Sequence, residues 1–242
     1  MTGAAIGVKK SGARDNATVK KGSPRSAEIN VSLVPNAASW VFFKDFISDN
    51  PGSTWSIVIK EDDGETFQTA NGCVVEKFSW KVATYPKGTE VTWDITLRGR
   101  IMAFAESGAF YDTTNTNFYS WEDVTVALGA SGGSPTTLTN WLSVNATITQ
   151  EVDVIPDNTG ATADIRTGTR QCTAELVRSV VDSGTTESGE LVAGTLKMLR
   201  LTTAAGAFTM DDCLYEEVEI EADRAKNAMK NMQLFVGDLA VT

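Results

Sequence analysis

Beyond residue 54 the chain alternates apolar and polar positions with a period of two over most of its length. That is the pattern of strands with one buried and one wet face. The clearest run is 91–101, where Val91, Trp93, Ile95, Leu97 and Ile101 fall on one side. Glu90, Thr92, Asp94, Thr96, Arg98 and Arg100 fall on the other. Before it, 73–82 groups Val74, Phe78, Trp80 and Val82, with Glu76 intruding, and Tyr85-Pro86-Lys87-Gly88 reads as the turn between them. A second long pair spans 141–155 and 161–181 around Pro156-Asp157-Asn158-Thr159-Gly160. In its first strand Leu142, Val144, Ala146, Ile148, Val152 and Val154 oppose Ser143, Asn145, Thr147, Thr149, Glu151 and Asp153. In its second, Cys172, Ala174, Leu176 and Val180 oppose Gln171, Thr173, Glu175 and Ser179, and a bulge is expected near Gly168.

Shorter elements flank these hairpins. Residues 28–34 (EINVSLV) predict a strand ending at Pro35, and 38–49 predict a helix, with Trp40, Phe43 and Ile47 at helical spacing. Asn50-Pro51-Gly52 stops it. Strands at 55–60 (WSIVIK) and 66–70 flank Asp62-Asp63-Gly64-Glu65, an Asp-Gly hairpin turn without the ligand spacing of a calcium loop. Residues 129–137 (GASGGSPTT) read as a loop, and 191–201, 207–222 and 229–236 as closing strands. Within 214–222, Leu214, Val218 and Ile220 are expected on one face, against Tyr215, Glu217, Glu219 and Glu221.

The chain has 242 residues, long enough to bury a core without metals or disulfides. It reads as a basic N-terminal arm, 1–27, and a single domain, 28–242. The net charge of −10 is split unevenly. Residues 1–26 hold Lys9, Lys10, Arg14, Lys20, Lys21 and Arg25 against Asp15 alone, a net of +5, which leaves −15 on the remainder. An acidic body disfavours phosphate binding, and the arm is suited to the body of another copy or to solvent. No run approaches a membrane span, and the N-terminus has no secretory layout, so folding in the cytoplasm is the expectation.

There is no histidine, which removes imidazole bases and His-bearing metal sites. Cys73, Cys172 and Cys213 are widely spaced and form no CxxC pair, so neither a metal nor another cofactor is expected. Asp211 with Asp212 is the one local carboxylate pair of interest, and Trp55, Tyr111 and Trp121 are the candidates for a sugar-stacking platform. No catalytic set has convincing spacing. The chain is not expected to be an enzyme.

The order of elements from Trp40 to Leu97 resembles bacteriophage major tail tube proteins. The resemblance lies in the aromatic F-K-D-F helix at residues 43–46, the W-S-I-V-I strand, the acidic hairpin, G-C-V-V-E-K-F-S-W-K-V at 72–82 and V-T-W-D-I-T-L at 91–97. Residues 141–181 and the strands after them are similar to the second half of that family. The resemblance implies a mainly β fold: a β-sandwich with a short flanking α-helix and two long amphipathic hairpins that pair between subunits into a ring-shaped barrel. It also implies stacked hexameric rings forming the tail tube of a virion, assembled in the host cytoplasm. Partners would be further copies and other tail proteins, such as tape measure, tail terminator and distal tail proteins, while DNA passes through without specific binding. Thr92, Asp94, Thr96, Asn145, Thr147, Thr149, Glu151 and Asp153 would then face the channel, and the six basic arm residues would join adjacent rings. The alternative is a carbohydrate- or receptor-binding β-sandwich module of the adhesin or tail-tip type.

Overall fold

The computed structural model describes residues 5–8, 18–21, 27–48, 54–60, 67–84, 91–99, 101–105, 118–156, 162–179, 185–221 and 229–242. The arm carries two short strands, β1 (Ala5–Val8) and β2 (Thr18–Lys21), paired as a separate ribbon. Next come β3 (Ala27–Leu33), α1 (Ala37–Ser48), β4 (Trp55–Lys60), β5 (Phe67–Ala83), β6 (Val91–Gly99) and β7 (Ile101–Ala105). After a 3-10 turn at Trp121–Asp123 follow β8 (Thr125–Ala130), β9 (Thr136–Thr137), β10 (Trp141–Pro156) and β11 (Thr162–Ser179). Then α2 (Thr185–Ala193) leads to β12 (Lys197–Thr203), β13 (Gly206–Glu221), β14 (Met229–Val236) and β15 (Asp238–Val241).

Strands β3 to β15 form one 13-stranded sheet, with main order β3-β6-β5-β10-β11-β14-β13-β12-β8-β9. The protein is mainly β with a flanking helix, and its sheet curls into a half-barrel. The expected sandwich is therefore one sheet folded over a core. Two long strands make the fold possible by changing partners along their length. β5 pairs β7 before Gly72, β4 along the same half and as far as Cys73, and β6 and β10 beyond that point, and Gly72 has a positive φ of 61° that suits glycine. β13 pairs β12 and β15 in its first half and β14 in its second, with Asp212 at φ 48° where it turns.

α1 forms where the sequence predicts it. Asn36 caps it, its Oδ1 accepting from the N–H groups of Ala38 and Ser39 at 3.0 Å each. The apolar side plugs the half-barrel. Phe43 is fully buried, with its ring 4.6 Å from Phe78, 5.3 Å from Trp93 and 5.1 Å from Phe208, so it touches both arms of the curl. Trp40, Phe46, Trp80, Leu199, Met210 and Met232 complete the same core.

Three expectations are corrected. Residues 73–82 do not alternate evenly, because a register shift between Val75 and Lys77 makes Glu76 an extra residue. Val75 thereby joins Phe78, Trp80 and Val82 in the core, and Glu76 turns to the polar side to meet Arg98. A similar shift between Tyr215 and Glu217 reverses the expected faces, so Tyr215 is buried and Leu214 is 39% exposed. Residues 191–193 end helix α2 and do not begin a strand. The bulge expected near Gly168 is present: two residues, Gly168 and Thr169, lie opposite Glu151 alone.

Candidate functional site: a polar sheet face and a projecting ribbon

The two long hairpins lie side by side, β10 pairing β5 from Ser143↔Ala83 to Thr149↔Lys77. Because side chains alternate across a sheet, registered polar positions align into rows. One row runs Ser32, Asp94, Ser79, Thr147, Thr173 across five strands and continues through Phe235 and Leu214. A second runs Thr92, Lys81, Asn145, Glu175, Gln233, Glu217, and a third Asn30, Thr96, Lys77, Thr149, Gln171. Six of the eight residues expected to face a channel, Thr92, Asp94, Thr96, Asn145, Thr147 and Thr149, therefore share one continuous face.

Of the basic residues on this face, Lys81 and Arg98 are paired within the chain, while Lys77 is exposed. Lys81 Nζ donates to Asp94 at 2.5 Å, and Ser32 Oγ to the other oxygen of Asp94 at 2.7 Å. Those two hydrogen bonds, that of Lys81 first, hold the Asp94 carboxyl below its ordinary value. Arg98 donates to Glu76 from Nε at 3.1 Å and Nη2 at 2.7 Å, and to Glu28 from Nη1 at 2.9 Å. With their charges so engaged, Lys81 and Arg98 offer little to a passing phosphate. Toward β14 and β13 the face turns acidic. An open polar depression of about 220 Å³ is lined there by Asn145, Thr147, Glu175, Glu216 and Gln233, among others.

Glu151 and Asp153 stand apart from the other six. β10 leaves β5 after Thr149, and β11 pairs β14 only from Cys172 onward. Beyond those points the hairpin continues from Val152↔Thr167 to Pro156↔Thr162 as a ribbon, with no other strand beside it among the described residues. Glu151 and Asp153 are exposed on it, whereas Val152, Val154 and Ile165 are half-buried. Periodicity showed how long the hairpin was. It carried no signal of where its neighbours stop, since that depends on strands 60 and more residues away.

Among the described residues, the rival candidates Asp211, Asp212, Trp55 and Trp121 are tied into the fold. Asp211 accepts from the N–H groups of Gly132 and Asp212, and Asp212 accepts from Ser131 Oγ at 2.6 Å, so the pair fastens the turn after β8. Trp55 is half-buried, its ring 5.3 Å from that of Phe42, and Trp121 is half-buried, while Tyr111 lies outside the described residues. Lys9, Lys10, Arg14 and Arg25 also lie outside them, and Lys20 and Lys21 belong to β2. The same holds for the turns at 62–65 and 85–88. Among the described residues no group of acidic or cysteine side chains is placed to hold a metal ion, and no helix is long and apolar enough to cross a membrane.

No family model matches the chain, and no curated protein does. Among solved structures it is similar to a chain in the tail of an empty gene transfer agent particle refined with C6 symmetry. That likeness has a TM-score of 0.43 and 13% identity, and covers 50% of this chain and 96% of the other. It is similar also to a chain in the virion of a native gene transfer agent particle, at TM-score 0.40 and 10% identity, with the same coverage. A likeness at this level does not by itself identify a function.

Proposed function

We propose that this chain is a structural subunit of a phage-like tail, and specifically the subunit of its tube: stacked hexameric rings around a channel through which the genome leaves the virion. The observation that supports this most is the β10–β11 ribbon. A long two-stranded ribbon with both outer edges open is unfavourable alone and invites pairing with another chain. In a closed ring each copy supplies the edges that its neighbour needs, so no free edge remains. The half-buried stripe of Val152, Val154 and Ile165 would be covered in the same step.

The polar face suits a channel wall. It offers hydroxyls, amides and engaged ion pairs, and its acidic side repels phosphate. The role is mechanical and electrostatic, with no catalytic step. Six copies per ring and the other tail proteins as partners rest on the resemblance to tail tube proteins. The basic arm, residues 1–27, is proposed to join one ring to the next.

The test is negative-stain electron microscopy of the full-length protein over a range of concentrations, alone and with residues 1–26 removed. Rings or tubes with a central hole are expected from the full chain, and shorter stacks from the truncated one. A dispersed monomer at every concentration counts against the tube and favours the binding module.

A further inference from the structure

The ribbon leaves the body at one register pair, Gln150↔Arg170, immediately before the bulge. Gln150 is buried. Among the described residues Arg170 forms no ion pair with a carboxylate. It reaches α1, where Nη2 donates to the carbonyl of Phe46 at 3.0 Å and Nη1 to that of Ile47 at 3.3 Å. Its guanidinium carbon lies 4.7 Å from the centroid of the Phe46 ring. The last turn of α1 has no basic residue of its own, and its terminal carbonyls lack helical donors. Arg170, 123 residues away from Ile47, supplies both the hydrogen bonds and the positive charge that a helix C-terminus favours.

Adjacent to this contact is a tight step. A Cβ on Gly168 would lie 2.7 Å from Oε2 and 3.1 Å from Cβ of Glu151, so the bulge packs glycine against that side chain. The arrangement is a clamp followed at once by a bend. The planar fork of arginine spans two successive carbonyls and stacks on a ring, which the point charge of lysine does not reproduce.

We infer that Arg170 is a positioning residue: by fastening the root of the ribbon to the C-terminus of α1, it sets the angle at which the ribbon leaves the body and confines bending to the Gly168 bulge. Anything that shifts the end of α1 is then transmitted to the ribbon, and anything that seizes the ribbon is felt at α1. The consequence for assembly rests on the tube reading. The clamp does not, and it is measurable in dispersed protein.

The measurement is the distance distribution between spin labels at Asp45→Cys on α1 and Asp153→Cys on the ribbon, both exposed positions. Full-length labelled protein is diluted into unlabelled protein so that only distances within a copy are read. A single narrow distribution is expected with Arg170 present, a broad one with Arg170→Gln, and an intermediate one with Arg170→Lys. Hydrogen exchange gives an independent reading. Amides at 150–156 and 162–170 should exchange about tenfold faster in Arg170→Gln, while those of β12 and β14 keep their protection. An unchanged distribution in Arg170→Gln, or faster exchange spread evenly over the protein, overturns the inference. If Arg170→Gln does not fold, Arg170→Lys and Gly168→Ala carry the test, the latter shifting the mean distance with Arg170 intact. A protein that never forms rings yet shows the broadening upholds the clamp and sinks the tube.

Discussion

Truncating Phe43 to alanine tests the claim that α1 holds the two arms of the curl together. The side chain is fully buried, and its ring lies within 6 Å of Trp40, Phe78, Trp80, Trp93 and Phe208. Loss of the ring removes transfer free energy and leaves a cavity, together about 3–5 kcal/mol for a buried Phe→Ala change. Five aromatic neighbours with fixed rings cannot close in easily, which places the expectation at the upper end of that range. Set against a total stability of roughly 5–15 kcal/mol, this is a large fraction. In a chain of this size it corresponds to a fall in Tm of roughly 10–15 °C. The assay is urea denaturation read by both near-UV and far-UV circular dichroism, with Val41→Ala as the control. Val41 is on the same helix but 61% exposed, and its loss should cost well under about 1 kcal/mol. A cost below about 1.5 kcal/mol for Phe43→Ala would refute the reasoning, since a truly enclosed ring cannot be removed so cheaply.

Two further predictions concern charge and thiols. Glu187 on α2 accepts from Arg178 at 2.9 Å and Lys230 at 2.6 Å, and burial works against its ionisation, but the Lys230 hydrogen bond and the two positive charges outweigh it and keep the carboxyl below its ordinary 4.5. Glu187→Gln should cost about 2 kcal/mol at pH 7, less than for a fully enclosed pair because Arg178 keeps 20% of its side-chain surface exposed. A group whose carboxyl is held low in the folded state stabilises above its unfolded value and loses that contribution as pH falls through the folded one. Denaturation midpoints of wild type and variant should therefore converge below about pH 4.5 and stay apart above it. Cys172 and Cys213 are buried, and burial pushes both thiols up to about 12, so all three free cysteines should resist a thiol reagent in the native protein and react together once it unfolds. Fast native reaction of one thiol would mark its strand as opening locally.

Much of the fold is legible in the chain because strand and helix periods are local properties. The alternation of 91–99 appears as strictly alternating burial, and the helix with Trp40, Phe43 and Ile47 falls within one residue of its expected bounds. The glycine at 168 coincides with the bulge, where a Cβ would press on the Glu151 side chain. Other features are illegible for an equally physical reason. A bulge at Glu76 or Glu216 has no glycine to announce it, and one extra residue exchanges the faces of everything beyond it. Leu214 and Tyr215 are reversed for that reason alone. Helix α2 is missed because a short segment with few apolar residues carries little period. Glu187, held from β11 and β14, anchors it where propensity does not.

The sequence by itself determined that this is a β-rich protein with one wet and one dry face on each long hairpin. It determined the place of the first helix, an acidic body, and the lack of imidazole chemistry, because composition and period need no partner to be read. The tertiary structure decided that the two hairpins lie side by side, so that their polar positions align into rows. It decided that Lys81 and Arg98 find Asp94, Glu76 and Glu28, and that β10 and β11 run on beyond the strands described beside them. It also decided that Arg170 meets the end of α1. Each of these depends on pairing between segments far apart in the chain, and long-range register is fixed by the packing of the whole sheet, which no local stretch of sequence contains.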